Sequence, residues 1–344
     1  MTLGVSWLVY GTLEQPTGGY VYDRLIVEQL RAHGTRVEVR PLVPNDPVSL
    51  ATTVTQLLRG DLNVVVGDAL CINELGPLFE SLVGRMRRVL LVHHFTSWEP
   101  EVIPSRKAAL RAQELRAVNN ADLIVTTSQT TAGRLRAQFP DCMPYTVVPG
   151  ADRLMCLPRI YNRAQLRLLG VGSLIARKRW KLLLAVLEEI AAPDLYLRLI
   201  GDDTRDSQYS QSLAAQMARS PYLAKHVKYL GVIDDEQLAS ELAAADALIL
   251  PSSLEGYGMV LTEALHAGVP VIAARAGAIP EVLNHSDAAL SFDNESELLI
   301  HLNRFVREPP LREALQRAAT GCSAALPTWA SAGARFRELL TLPI

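Results

Sequence analysis

The chain has 344 residues, enough for two domains of ordinary size. With 49% hydrophobic and 20% charged residues it has the composition of a globular protein with large cores, which excludes a disordered chain. A formal net charge of -2 supplies no global field for a polyanion, so nucleic acid is not indicated as a partner.

From the N-terminus, MTLGVSWLVYG has no basic leader before its apolar run, and no later stretch reaches spanning length. The four cysteines, Cys71, Cys142, Cys156 and Cys322, stand singly without metal-ligand spacing, which fits a reducing compartment. A cytoplasmic protein is expected, neither secreted by this route nor integral to a membrane. In the first half the strand candidates are VSWLVY, RVEVRPL, NVVVGD, RVLLVHHF, DLIVTTS and YTVVPG, with helices such as GYVYDRLIVEQLRAHG and RKAALRAQELRAVNNA between them. The rhythm then restarts with LRLLGVGSL, YLRLIGD, HVKYLGVI, ALILPSS and GVPVIAA. Alternating strands and helices of this kind indicate an α/β fold with two doubly wound, Rossmann-like domains facing a central cleft. The boundary is expected within 149–165, giving a first domain of 1–155 and a second of 156–327. In PTWASAGARFRELL, Thr328 is placed to cap a last helix, 328–344, that returns to the first domain.

Phosphate chemistry is the next question, because such folds take nucleotides. Gly170 and Gly172 follow a strand, but Ile175 stands where a dinucleotide fingerprint needs its third glycine. Glu188 and Glu189 fall inside the next helix, and there is no Walker sequence, so a nicotinamide enzyme is a poor reading. Arg177, Lys178 and Arg179 cluster at a strand-to-helix turn, where a helix N-terminus also favours an anion such as a diphosphate; a solvated basic helix start is the plainer alternative. Further on, SLEGYGMVLTEALHAGVPVIA places Glu255 at the mouth of a helix and Glu263 eight residues later, roughly 12 Å along it. Two carboxylates so spaced accept hydroxyl hydrogen bonds at the two ends of an elongated ligand, with the amides of Gly258, Met259 and Val260 serving phosphates between them. A solvent-facing helix glutamate at 263 and a dipole partner at 255 are the plainer readings.

The segment PSSLEGYGMVLTEALHAGVPVIAARAGAIPEVL resembles the hallmark of the family 4 retaining glycosyltransferases of GT-B fold. The resemblance extends through LLGVGSLIARKRWKLLL, LRLIGDD, VKYLGVIDDEQLASELAAADALILPSS, ADLIVTTSQTTAGRL, TGGYVYDRLIVEQLRAHG and LVHHF, in the family's order. It implies that Glu255, with Gly256 and Tyr257, contacts the donor sugar, that Glu263 holds the ribose, and that Lys178 with a neighbouring arginine neutralises the diphosphate. It further implies that Gly231, Val232 and Ile233 receive the base and that the turn at Gly18, Gly19 and Tyr20 faces the acceptor. His93 matches the family's histidine near the reacting centre and His94 competes with it; after LLV the two rings are expected on opposite sides of a strand end. Ser173 stands where the family usually has an arginine, so Arg177 or Arg179 must supply that phosphate contact or it is missing.

The reaction implied is transfer of a hexosyl group from a nucleoside diphosphate sugar to a hydroxyl of a glycan, lipid-linked or small-molecule acceptor, with retention. His93, Lys178 and Glu255 are the candidate catalytic residues; no cofactor and no metal are expected, and Asp202-Asp203 beside Arg205 falls short of a ligand set. The alternatives are a catalytically silent sugar-nucleotide-binding subunit, suggested by Ser173, and a sugar-nucleotide epimerase or phosphorylase of the same fold. Arg85, Arg87, Arg88, Arg106, Lys107 and Arg111 read either as an anionic-lipid contact at the inner face of the plasma membrane or as an ordinary solvated surface. Tyr20, Tyr22 and Trp98 are candidate acceptor-stacking groups.

Overall fold

The computed structural model describes residues 3–160, 165–284 and 286–343. The chain divides into two compact units, Met1–Pro149 with Thr328–Ile344 and Gly150–Pro327. Residues 150–155 fall in the second unit, where the sequence reading had put them in the first.

Each unit is built on a six-stranded sheet in which every pairing is parallel. In the first, β1 (Gly4–Tyr10), β2 (Arg36–Leu42), β3 (Val64–Asp68), β4 (Arg87–Val92), β5 (Leu123–Thr126) and β6 (Pro144–Thr146) take the order β2-β1-β3-β4-β5-β6. The second contains β7 (Leu166–Val171), β8 (Leu195–Ile200), β9 (Val227–Tyr229), β10 (Ala247–Leu250), β11 (Val271–Ala274) and β12 (Ala289–Phe292), in the order β12-β11-β10-β7-β8-β9. Helices cover both faces of such sheets, which is why VVVGD and ALIL are buried along their whole length instead of alternating. β12 was not anticipated; its four residues, ALSF, are too few to show a period. These are the two doubly wound α/β units expected of a GT-B fold.

The order reverses between β1 and β3 in the first sheet and between β7 and β10 in the second. At such a reversal the loops leaving the carboxyl ends of the two strands diverge and open a crevice. Residues after β1 and β3 and residues after β7 and β10 are therefore the ones to inspect. The second core is one apolar cluster around Trp180, Phe292 and Phe305.

In the first unit Trp7, Tyr22, Phe79, Phe95 and Phe336 are fully buried. Phe336 belongs to the Trp329–Thr341 helix, whose cap Thr328 accepts from the Ser331 amide in a capping box. Its ring lies 5.4 Å from Trp7, and Trp329 meets Tyr22 edge-on at 5.7 Å. Among the described residues no helix is long and apolar enough to cross a membrane.

Candidate functional site

In the second unit the carboxyl ends of β7 and β10 bring together the two motifs that sequence spacing singled out. After β7 the chain passes Gly172 and Ser173, makes a short 3-10 turn at Ala176–Lys178, and enters the Trp180–Ile190 helix through Arg179 in the left-handed region. Lys178 folds back over Gly172, where a Cβ would sit 2.9 Å from the lysine Cε. Its ammonium donates to Glu255 Oε1 at 2.6 Å, and the Arg177 guanidinium lies 3.5 Å from Glu255 Oε2. The Arg177 carbonyl accepts from the Ser253 amide at 2.8 Å, tying the two loops together.

Glu255 is buried, and burial alone would raise its carboxyl; the Lys178 and Arg177 charges outweigh that and hold it down to about 2. Burial lowers Lys178, and only the Glu255 charge opposes the shift. At 2.6 Å the two groups touch directly, with no room for water between them. Behind Glu255 the backbone is clamped: the Ala278 amide donates to the Glu255 carbonyl at 2.9 Å, and a Cβ on Gly277 would lie 2.2 Å from that oxygen.

Gly258, at φ 93°, caps the Met259–His266 helix. The Leu261 amide donates to the Gly258 carbonyl, whereas the Met259 and Val260 amides find no acceptor among the described residues and so present donors to a ligand. Gly256 and Tyr257 are buried, so the turn holds its shape without solvent-facing side chains. Glu263 is not a solvent-facing helix residue: it is buried and accepts from Arg153 Nε at 2.8 Å. Arg153, missed by the sequence reading, also binds Asp235 and fixes the direction of the Glu263 carboxylate. Beyond β9, Gly231 at φ 73° starts a loop with Val232 exposed, and its carbonyl accepts from the Gly201 amide. Ser173 is buried and its carbonyl accepts from Trp180 Nε1, so its backbone serves the turn. Asp202 caps its own loop by accepting from the Thr204 amide.

The first unit corrects several expectations. Gly18, Gly19 and Tyr20 form the first turn of the Gly18–Ala32 helix, not a free loop. Tyr20 and Tyr22 are buried and donate to the Tyr10 and Val147 carbonyls, and Trp98 is buried and donates to Gln138, so none is an open stacking surface. β4 ends at Val92, so His93 and His94 lie beyond the strand and pleat alternation does not orient them. They part because they find different acids: His94 meets Glu99 at 2.9 Å, and His93 Nε2 meets Asp23 at 3.2 Å. A Cβ on Gly19 would touch the His93 ring at 3.3 Å, so the glycine lets that imidazole approach the helix start. The basic set also divides. Arg88 pairs with Asp122 and is buried, and Arg87 donates to the Leu340 and Leu342 carbonyls, which removes both from any lipid-facing patch.

Asp23 and Asp68, also missed, face His93 from the helix and from the end of β3; one ligand-capable atom of each of the three lies within 4.8 Å of the others. Both acids are fully buried. Burial raises both carboxyls; the Asp23 charge raises Asp68 further, while the hydrogen bond from Trp7 restrains Asp23. Burial lowers His93.

Residues 162–321 match the family model for glycosyl transferases group 1. A GDP-mannose-dependent alpha-(1-6)-phosphatidylinositol monomannoside mannosyltransferase of Mycolicibacterium smegmatis is 29% identical over 352 aligned positions, covering 94% of this chain and 87% of the relative. The chain has the GT-B fold, and its second unit carries the glycosyl transferase match. A sucrose-phosphate synthase from Thermosynechococcus elongatus superposes on this chain with a TM-score of 0.83 at 19% identity, over 98% of both chains. The UDP-glucose complex of Anabaena HepE does so with 0.80 at 18%, over 98% and 99%. At those identities the two structures speak for the fold.

Proposed function

We propose that this transferase belongs to family 4 and moves a hexosyl group from a nucleoside diphosphate sugar to an acceptor hydroxyl, with retention and without a metal or cofactor. The observation that carries the reading is the buried Lys178–Glu255 pair at the mouth of a helix whose Met259 and Val260 amides are open. The Lys178 ammonium and Arg177 guanidinium would face the diphosphate and stabilise the negative charge that grows as its bond to the sugar breaks. Glu255, kept ionised by the same cations, would accept from a sugar hydroxyl, and Glu263, aimed by Arg153, from the ribose. The exposed loop at Gly231, Val232 and Ile233 would take the base. Retention is assigned to a front-face route in which the leaving phosphate oxygen helps to deprotonate the acceptor. His93 would meet a substrate hydroxyl from the first unit.

Arg177 favours a working enzyme over a silent binding subunit, since its guanidinium joins Lys178 at Glu255 and gives the site a second cation. The name of the Mycolicibacterium relative puts GDP-mannose first among donors to try and a lipid-linked sugar first among acceptors. The test is thermal stabilisation by a panel of nucleoside diphosphates and their sugars, because a ligand that binds only the native state raises its melting temperature. One base should raise it in the wild type and fail in Glu263→Ala. Proton NMR of the first-formed product then reads its anomeric configuration; an inverted product, or no stabilisation by any donor, would sink the proposal.

A further inference from the structure

Three hydrogen-bonding side chains meet at the carboxyl end of the first sheet in a way that the transfer reaction alone does not explain. Asp23 lies on the buried stripe of its helix with Ile26, Val27 and Leu30, where an apolar residue would ordinarily pack. One of its oxygens accepts from Trp7 Nε1 at 3.1 Å and the other faces His93 Nε2 at 3.2 Å. Asp68 Oδ1 accepts from the Leu70 amide at 2.9 Å, while Oδ2 is buried, 3.7 Å from His93 Nε2, and makes no hydrogen bond to the described residues. A buried polar atom aimed into a cluster without a partner calls for a proton or a ligand there.

We propose that Asp23 is a positioning residue for His93. Its carboxylate takes the N–H groups of Trp7 and His93, holding the imidazole as the neutral Nε2–H tautomer, and Asp68 carries the one proton that lets two carboxyl groups share the site. The His93 Nδ1, which has no hydrogen bond to the described residues, then presents a lone pair to a substrate hydroxyl. That last contact rests on the glycosyl-transfer reading; the tautomer does not. The proton belongs on Asp68 because both Asp23 oxygens already face N–H donors, whereas Asp68 Oδ2 faces none that is closer. The other titratable groups against the cluster, Tyr22 on the same helix and Cys71 in the turn after β3, are pushed up by burial and by the carboxylates, so they stay neutral and do not compete. A like-charge pair that cannot ionise twice is the ordinary outcome of two acids sharing a dry site.

The test uses the full chain without ligand. In histidine-labelled protein, long-range proton–nitrogen correlations distinguish the two neutral tautomers and the imidazolium, and His93→Gln assigns the signal. The wild type should show Nε2–H and no imidazolium as the pH passes through the usual imidazole value of about 6.5. Asp23→Asn should switch the ring to Nδ1–H, because the new amide N–H donates to Nε2; Asp68→Asn should leave Nε2–H in place, because a neutral group already stands there. An imidazolium forming near the ordinary value in the wild type, or an unchanged tautomer in Asp23→Asn, would overturn the assignment. If Asp23→Asn does not fold, the wild-type titration and Asp68→Asn decide. A chain with the expected tautomer and no affinity for any nucleoside diphosphate would keep this assignment and remove the transferase reading.

Discussion

In the proposed reaction the chemistry of the second unit turns on Lys178. Lys178→Ala should lower kcat about 100- to 1000-fold, the loss seen when one preorganised donor to a developing charge is removed. It also leaves Glu255 buried without its nearest cation, so the unfolding midpoint should fall, which a denaturant titration would read. Asp68 predicts a pH effect of definite sign. Its carboxyl is pushed from 3.8 up to about 8 in the folded chain, so the native state holds a proton that the unfolded state releases between those values. Stability is therefore lost as pH rises through that window, and the loss levels off above it. Asp68→Asn keeps an acceptor for the Leu70 amide and removes the titration, so its melting temperature should gain on the wild type from about pH 5 to about pH 8. A constant difference across that range would contradict the burial of Asp68 as a shared acid. Motif spacing was enough to single out Glu255, Glu263 and Lys178 as candidates. Asp23 and Asp68 were not, since each reads alone as an ordinary helix or strand-end acid; the available signal was an aspartate on the apolar stripe of Tyr22, Ile26 and Leu30.

At the level of elements, strand order was less legible than strand existence. The run RVLLVHHF has strand character throughout, yet β4 stops at Val92 because its neighbours stop: Leu91 pairs with Asp68, the last residue of β3, and Val92 with Thr126, the last of β5. Propensity along one segment carries no information about where a partner ends. The turn that holds Glu255 depends on Gly277, which sits at φ 56° against the Glu255 backbone. Gly277→Ala should cost about 1–3 kcal/mol from the left-handed conformation and the clash, and should shift Glu255 away from Lys178. Equilibrium unfolding would give the first and donor titration the second; a variant with wild-type stability and donor affinity would show that the clamp yields easily.

For the whole molecule, the division into units follows from polar anchors that composition does not reveal. Residues 150–160 belong with the second unit because Ala151 donates to the Pro327 carbonyl, Arg153 binds Glu263, and Arg159 donates to the Leu242 and Ala245 carbonyls. The return of the chain at Thr328 was legible from its capping sequence. How closely the last helix packs was not: a Cβ on Gly333 would lie 2.2 Å from Gln29 Cβ, so the two helices touch backbone to side chain. A chain ending at Pro327 would uncover Trp7 and Tyr22. It should bind a hydrophobic dye and melt well below the full chain, while an unchanged melting curve would mean that the first unit is complete without the helix.

That last helix also gives the protein an order of assembly. The first 149 residues leave the ribosome with their sheet specified but one wall absent, and the wall is made only after residues 150–327 have followed. At bacterial and eukaryotic elongation rates of 5–20 residues per second, the Trp7 and Tyr22 face waits roughly 10–35 s for its cover. During that interval the half-made chain exposes an apolar face, and the second unit has time to fold before the first can close.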